Sequence, residues 1–262
     1  MSTDLGRGRP LDDAPGVIGV SSQELPSLPD DILQHPWAGL IDPRRWFPNP
    51  SQRFEIEIGC GKGTFILNQA KNDPSTNYLG IEWAREYELY TADRVRRAGL
   101  QNVRMLCADA SDFLRWRVPT AIVHVIHLYF SDPWPKTKHH KNRVIQDAFL
   151  TQAWRVLVPG GELRVVTDHD ELWEWDMRHF ERWTSPGVSH AMLGLAQPLH
   201  VTCSSPTSVV NPLPADVAPF SMHAFTPPAW VGDGQAVGTN YERKKCVEEG
   251  KAPHSCVLKK HA

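Results

Sequence analysis

Between residues 54 and 183, short apolar runs alternate with amphipathic segments, and this alternation constrains the fold more than any other feature of the chain. FEIEI (54–58), NYLGIE (77–82), NVRMLCAD (102–109), AIVHVIHLYF (121–130) and ELRVVTD (162–168) have the length and side-chain content of buried strands. GKGTFILNQAKN (61–72), AREYELYTADRVRRAGL (84–100, closed by Gly99), a short segment ending at Trp116, VIQDAFLTQAWRVL (144–157) and ELWEWDMRHFERW (171–183) read as helices. VPGG (158–161) reads as a turn ahead of the fifth strand. Strands alternating with helices predict an α/β fold with a doubly wound, mostly parallel sheet. Such sheets bind ligands at the carboxyl ends of their strands. Acids recur at those ends: Glu57, Glu82, Asp109, Asp132 and Asp168.

The 262 residues suit one domain with embellishments. Residues 1–35, rich in Pro, Asp, Gly and Ser, are expected to be a disordered N-terminal extension. Residues 36–262 are expected to form a single domain, interrupted at 184–237 by a Pro/Ser-rich insertion. GTNYERKKCVEEGK (238–251) reads as a short helix and PHSCVLKK (253–260) as a last strand. A net charge of -2 argues against a nucleic-acid coat protein but leaves room for a local basic patch. The five cysteines are odd in number and form no CxxC, so neither a disulfide framework nor a structural zinc is expected, and a reducing cytoplasm is the simplest compartment. No apolar run reaches membrane-spanning length, and nothing in the sequence identifies a protein partner.

EIGCGKG (57–63) is a strand entering a helix through a glycine turn, with Gly59 and Gly61 giving a ligand close access to the backbone. It is not a phosphate-binding P-loop, because Gly63 follows Lys62 where a Ser or Thr is needed. Thr64 at the third position of a GxGxxG pattern counts against a dinucleotide. The GxGxG spelling after Glu57 is similar to the first motif of S-adenosylmethionine methyltransferases. That cofactor carries an ammonium and a sulfonium, both favoured by nearby acids. Glu82 could hold ribose hydroxyls and Asp109 the adenine amine.

FSDPWPKTKHHKNR (130–143) follows the fourth strand. Pro133 and Pro135 stiffen the chain around Trp134, and Lys136, Lys138, Lys141 and Arg143 bring positive charge beside an aromatic ring, which suits a nucleic acid. The stretch resembles the F-x-D-P-W-x-K-x-x-H-x-K-x-R signature of bacterial-type tRNA (guanine-N7-)-methyltransferases. EIGCGKG, GIE (80–82), Asp109, VTD (166–168) and TNYERK (239–244) follow in that family's order. The resemblance implies a Rossmann-like methyltransferase fold, S-adenosylmethionine as donor without a metal, and the variable loop of tRNA as substrate. It implies cofactor contacts at Glu57, Gly59, Gly61, Glu82, Asp109 and Asp132, and catalytic weight on Asp132. It also implies substrate contacts at Lys136, Asp168, Thr239, Asn240, Tyr241 and Glu242.

Other readings stay open at this stage. TNYE (239–242) is equally a capping box, with Thr239 as N-cap and Glu242 three residues on. His124 and His127 point to opposite faces of one strand, which disfavours a shared metal. Asp168 and Asp170 of DHD lack further ligands, Lys259 and Lys260 read as solvated, and Trp173 and Trp175 read as packing residues. Rival functions are methylation of an exocyclic base amine, an NAD-dependent oxidoreductase and a non-catalytic RNA-binding module.

Overall fold

A computed structural model describes residues 5–6, 8–21, 25–187, 200–201, 208–209, 216–247 and 250–261. Its main sheet has eight strands: β1 (Gly19–Ser21), β2 (Arg53–Ile58), β3 (Thr76–Glu82), β4 (Val103–Cys107), β5 (Val123–Tyr129), β6 (Leu157–Thr167), β9 (Phe220–His223) and β10 (His254–Lys260). A separate ribbon pairs β7 (His200–Val201) with β8 (Ser208–Val209). The order across the main sheet is β1-β4-β3-β2-β5-β6-β10-β9. Strands β1 to β6 run parallel, and β10 and β9 close one edge antiparallel. The five expected helices are α1 (Thr64–Asn72), α2 (Arg85–Arg97), α3 (Ala110–Arg117), α4 (Asp147–Val156) and α5 (Asp170–Trp183).

The alternating pattern of β2 explains the layering. Phe54, Ile56 and Ile58 point into the larger core, with Phe113, Leu114, Phe149, Leu150 and Phe180 from α3, α4 and α5. On the other face, Ile66, Leu67 and Ala70 of α1 and Ala92 and Val95 of α2 pack against Tyr78, Val103 and Met105. Gly99 takes φ 68° after α2, as the C-cap reading requires. β6 runs through the expected VPGG turn, which the register shift between Val123 and Val125 of β5 absorbs. α4 starts at Asp147, three residues later than expected from the apolar pattern, because Lys136 to Arg143 frame a 3-10 turn first.

Three expectations need correction. The N-terminal residues do not all lie outside the fold: Gly19–Ser21 pairs in parallel with Met105–Cys107 and becomes an edge strand. Its short, polar flanking sequence hid a three-residue strand held by β4 and by charges. Asp93 of α2, with a fully buried side chain, accepts from Arg9 at 2.6 Å, Arg96 at 2.9 Å and Arg97 at 2.9 Å. Within 184–237, Phe220–His223 adds β9 to β10, so that stretch also contributes to the sheet; residues 188–199, 202–207 and 210–215 lie outside the described residues. Lys260 is buried rather than solvated, donating to the Leu157 carbonyl at 2.7 Å and lying 4.4 Å from the Trp154 ring centroid.

The arginines around Asp93 hold its carboxyl below the usual carboxylate range. A depressed carboxyl stabilises the fold above its unfolded pKa of about 3.9, and the contribution disappears as the pH falls below it. Asp93→Ala is expected to cost about 2 kcal/mol at neutral pH, less than a fully buried pair because the arginines are partly exposed. Urea unfolding at pH 7 and pH 3 should show that difference narrowing at the lower pH.

Candidate active site

The order of the sheet reverses between β2 and β5: the chain winds from β2 toward β3 and β4 on one side, and from β5 toward β6 on the other. Ligand clefts form at such a switch point, beyond the carboxyl ends of the strands. The glycine turn leaves β2 there, and the FSDPW segment leaves β5 in the neighbouring position, with Ile58 paired to Leu128.

The turn is fixed from beneath. The Gly59 N–H donates to the Ile81 carbonyl at 2.8 Å, and the Thr91 hydroxyl donates to the Gly61 carbonyl at 2.8 Å. Gly61 and Gly63 take φ 51° and 67°. A Cβ on Gly63 would lie 2.2 Å from the Thr91 methyl, so α2 packs directly on the turn. Above Gly59 and Gly61 a Cβ would meet nothing within 4 Å, which leaves the outer side of the turn open.

Glu57 is 5% exposed, and its Oε2 has no hydrogen-bond partner among the described residues. Burial, with Glu82 nearby, pushes its carboxyl up to about 8. Glu82 accepts the Gly61 N–H at 2.8 Å on one oxygen and the Ala84 N–H at 3.0 Å on the other, so each oxygen keeps a lone pair for a further donor. Asp109 commits one oxygen to capping α3 through the Asp112 N–H at 2.9 Å. A cleft of about 490 Å³ opens beside it, lined by Trp83, Cys107, Asp109, Phe113 and others. Its size is that of a small-molecule site. An orphaned buried carboxylate, an open glycine turn and a fixed acid beside a cleft fit a cofactor with an ammonium, a ribose and a flat base.

Beneath the turn, the buried His127 bridges the Tyr129 hydroxyl at 2.7 Å and Glu55 at 2.9 Å. Desolvation lowers the pKa of His127, and the pair fills the space next to Phe65. His124 instead receives the Phe54 N–H at 3.2 Å. Among the described residues no group of three or more His, Cys, Asp or Glu could hold a metal.

Asp132 is exposed at the carboxyl end of β5, on a backbone under strain. Phe130 and Trp134, on either side of it, take φ 53° and 43°, a region L-residues rarely enter. Arg143 holds that conformation. It is 1% exposed; its guanidinium donates to the Pro133 carbonyl at 2.9 Å and to Glu171 of α5 at 2.7 Å, and it stacks over Trp175 at 5.2 Å. The expectation that Arg143 belongs to the surface charge is thereby corrected: it is a buried clamp under the loop. A basic run gives no sign of which of its members turns inward. Lys136, Lys138 and Lys141 are exposed, and His139 meets Trp134 edge-on with centroids 5.7 Å apart.

Tyr241 reaches the same strand ends. Its hydroxyl donates to Asp168 at 3.3 Å, and its ring lies 5.1 Å from that of Phe130. Desolvation, then Asp168 and Asp132, push the phenol up to about 12. The two halves of TNYE differ. The Glu242 N–H donates to the Thr239 hydroxyl at 3.0 Å, completing the cap. Glu242 is fully buried, and its carboxylate accepts the N–H groups of Ala236, Val237 at 3.0 Å and Gly238 at 2.8 Å. That geometry removes Glu242 from the expected substrate contacts; it anchors the segment that carries Tyr241. Asn240 is exposed and accepts from Arg243 at 2.9 Å. In DHD, Asp168 meets Tyr241, His169 caps α5 and Asp170 pairs with His254 at 2.7 Å, so the three side chains diverge.

Residues 51–192 match the family described as "Putative methyltransferase". The chain belongs to that methyltransferase family. Among its relatives, the tRNA (guanine-N(7)-)-methyltransferase of Halorhodospira halophila is 37% identical over 53% of this chain and 60% of its own length. The enzyme of the same name from Nitrobacter hamburgensis is 37% identical over 61% of this chain and 62% of its own length. That of Streptococcus pneumoniae is 31% identical over 62% and 76%. The chain thus spans less than two thirds of the first two relatives.

Two outcomes follow from the site. Raising a carboxyl above its unfolded pKa removes stability as the pH climbs from about 4.3 toward the folded value. Glu57→Gln should therefore stabilise the ligand-free protein at pH 8.5, on the order of 3 kcal/mol, and leave it unchanged at pH 4. Thermal melts at the two pH values check this. Arg143→Ala leaves loop carbonyls and Glu171 without their partner; a loss of about 3 kcal/mol in urea unfolding is expected, with faster amide exchange across 130–136.

Proposed function

We propose that this chain transfers a methyl group from S-adenosylmethionine to N7 of a guanine in the variable loop of tRNA. The observation that carries this reading is the junction at the ends of β5 and β6. There Tyr241 donates to Asp168, packs on Phe130 and lies within electrostatic reach of Asp132, which follows the strand next to that of the glycine turn, with exposed Lys136, Lys138 and Lys141 in the same loop region as Asp132. The names of the aligned relatives support it.

Glu57, Gly59, Gly61, Glu82 and Asp109 would hold the donor. S-adenosylmethionine supplies an electrophilic methyl on a sulfonium. Guanine N7 carries an in-plane lone pair and no proton, so the chain needs no general base. Positive charge grows on the purine as the new bond forms. An ionised Asp132 stabilises that charge and can accept from the guanine N–H groups, which orients the ring. The strained, clamped loop keeps the carboxylate in position before the base arrives, which lowers the orientational cost. The exposed lysines meet phosphates, and Trp134 offers a stacking face.

Incubating the protein with tritiated S-adenosylmethionine and unmodified tRNA should move label to RNA, and nuclease digestion with mass spectrometry should place the methyl on guanine N7. Methyl on an exocyclic amine would replace this reading; no transfer by folded protein would leave a binding module. Asp132→Ala should lower turnover at least about a hundredfold, with the melting temperature kept and measurable donor affinity retained. Turnover at the unmodified rate would sink the role given to Asp132.

A further inference from the structure

The family match begins at residue 51, yet the cleft beyond β3 and β4 is partly walled by residues that precede it. Leu25 and Leu28 line it together with Trp83, Asp109, Phe113 and Trp116. Leu28 is 37% exposed and Trp83 72% exposed, the pattern of apolar side chains facing an open slot rather than a closed core.

The leucines are held there by independent contacts. Arg117 at the end of α3 donates to the Pro26 carbonyl at 2.6 Å and to the Gly39 carbonyl at 3.3 Å. Leu28 sits where Gly39 lacks a side chain: a Cβ on Gly39 would lie 2.6 Å from the Leu28 Cδ2 and 2.8 Å from the Trp116 carbonyl. Upstream, β1 is laddered to β4, and three ion pairs fasten the segment to α2: Arg9 to Asp93 at 2.6 Å, Asp13 to Arg85 at 2.6 Å and Asp12 to Arg96 at 3.3 Å. Leu25 and Leu28 thereby share one cleft with Asp109.

We infer that this N-terminal strap is part of the cofactor site, with Leu25 and Leu28 forming the apolar wall against which the purine ring of the methyl donor packs. The inference rests on the donor named above. A purine has two apolar faces and a polar edge. The cleft offers apolar side chains from two separate parts of the chain and two carboxylates, Asp109 and Asp112, of which Asp109, just past the end of β4, can accept from an exocyclic amine. Trp83 in the cleft wall directly follows Glu82, which accepts the Gly61 N–H of the glycine turn at 2.8 Å.

Isothermal titration of the full chain with S-adenosylhomocysteine tests this. The double variant Leu25→Ala, Leu28→Ala should bind about tenfold or more weakly. Hydrogen exchange on the unaltered chain gives a readout independent of any variant's folding: the ligand should protect amides across residues 25–28 as well as those of the glycine turn. Protection at the turn with none at 25–28, or double-variant affinity within twofold, would overturn the strap's role and leave the proposed function standing. No binding of S-adenosylhomocysteine by the unaltered chain would overturn both.

Discussion

The ladder between β2 and β5 is the constraint on which the rest of the site depends. Because the chain winds away from this pair in opposite directions, no helix crosses above it, and the ends of both strands stay open. The glycine turn is attached to the end of β2 and Asp132 follows the end of β5. The polar face of the pair is buried as well. Glu55 is satisfied through His127 and Arg53, whereas Glu57, two residues on, has an oxygen with no partner among the described residues. The same strand face thus passes from a fully paired carboxylate to one with an unpartnered oxygen within a single pleat.

The second half of the site is assembled by indirect anchoring. Tyr241 reaches Asp168 because Glu242 is sunk beneath it and gathers three backbone N–H groups. Trp230 donates to Gln69 of α1 at 2.6 Å and lies 5.9 Å from Phe65, so the segment before Tyr241 is fastened to the helix that follows the glycine turn. Phe65 also meets Tyr129 at 4.8 Å. One aromatic cluster therefore joins the side of the site that would hold the cofactor to the side that would hold the base. Rigid placement of both sides relative to each other is what an in-line transfer demands.

Much of this was readable from the chain. Short apolar runs alternating with amphipathic segments identified the parallel sheet, and the switch-point rule gave the edge at which a ligand cleft is expected. Asp168 and Tyr241 were named from their motifs and are found in contact. What escaped depends on long-range partners. Arg143 reads like its lysine neighbours until α5 supplies Glu171 and Trp175. Glu242 reads as a ligand contact or a cap until the 236–238 backbone closes over it. β1 is only three residues long, below what any periodicity can register, and exists because β4 offers it an edge.

That edge carries a further meaning. A sheet border with unpaired N–H and C=O groups is a template for association between chains, and natural proteins cover it with short strands and charge. β1 covers the outer side of β4, flanked by the ionic cluster around Asp93, while β10 and β9 extend the sheet beyond β6. A version trimmed to residues 51–192 would keep the glycine turn and Asp132 yet bare both borders of the remaining parallel sheet. The flanking segments thus cover both borders of the parallel sheet, and the boundaries of the family match are not the boundaries of the folded unit.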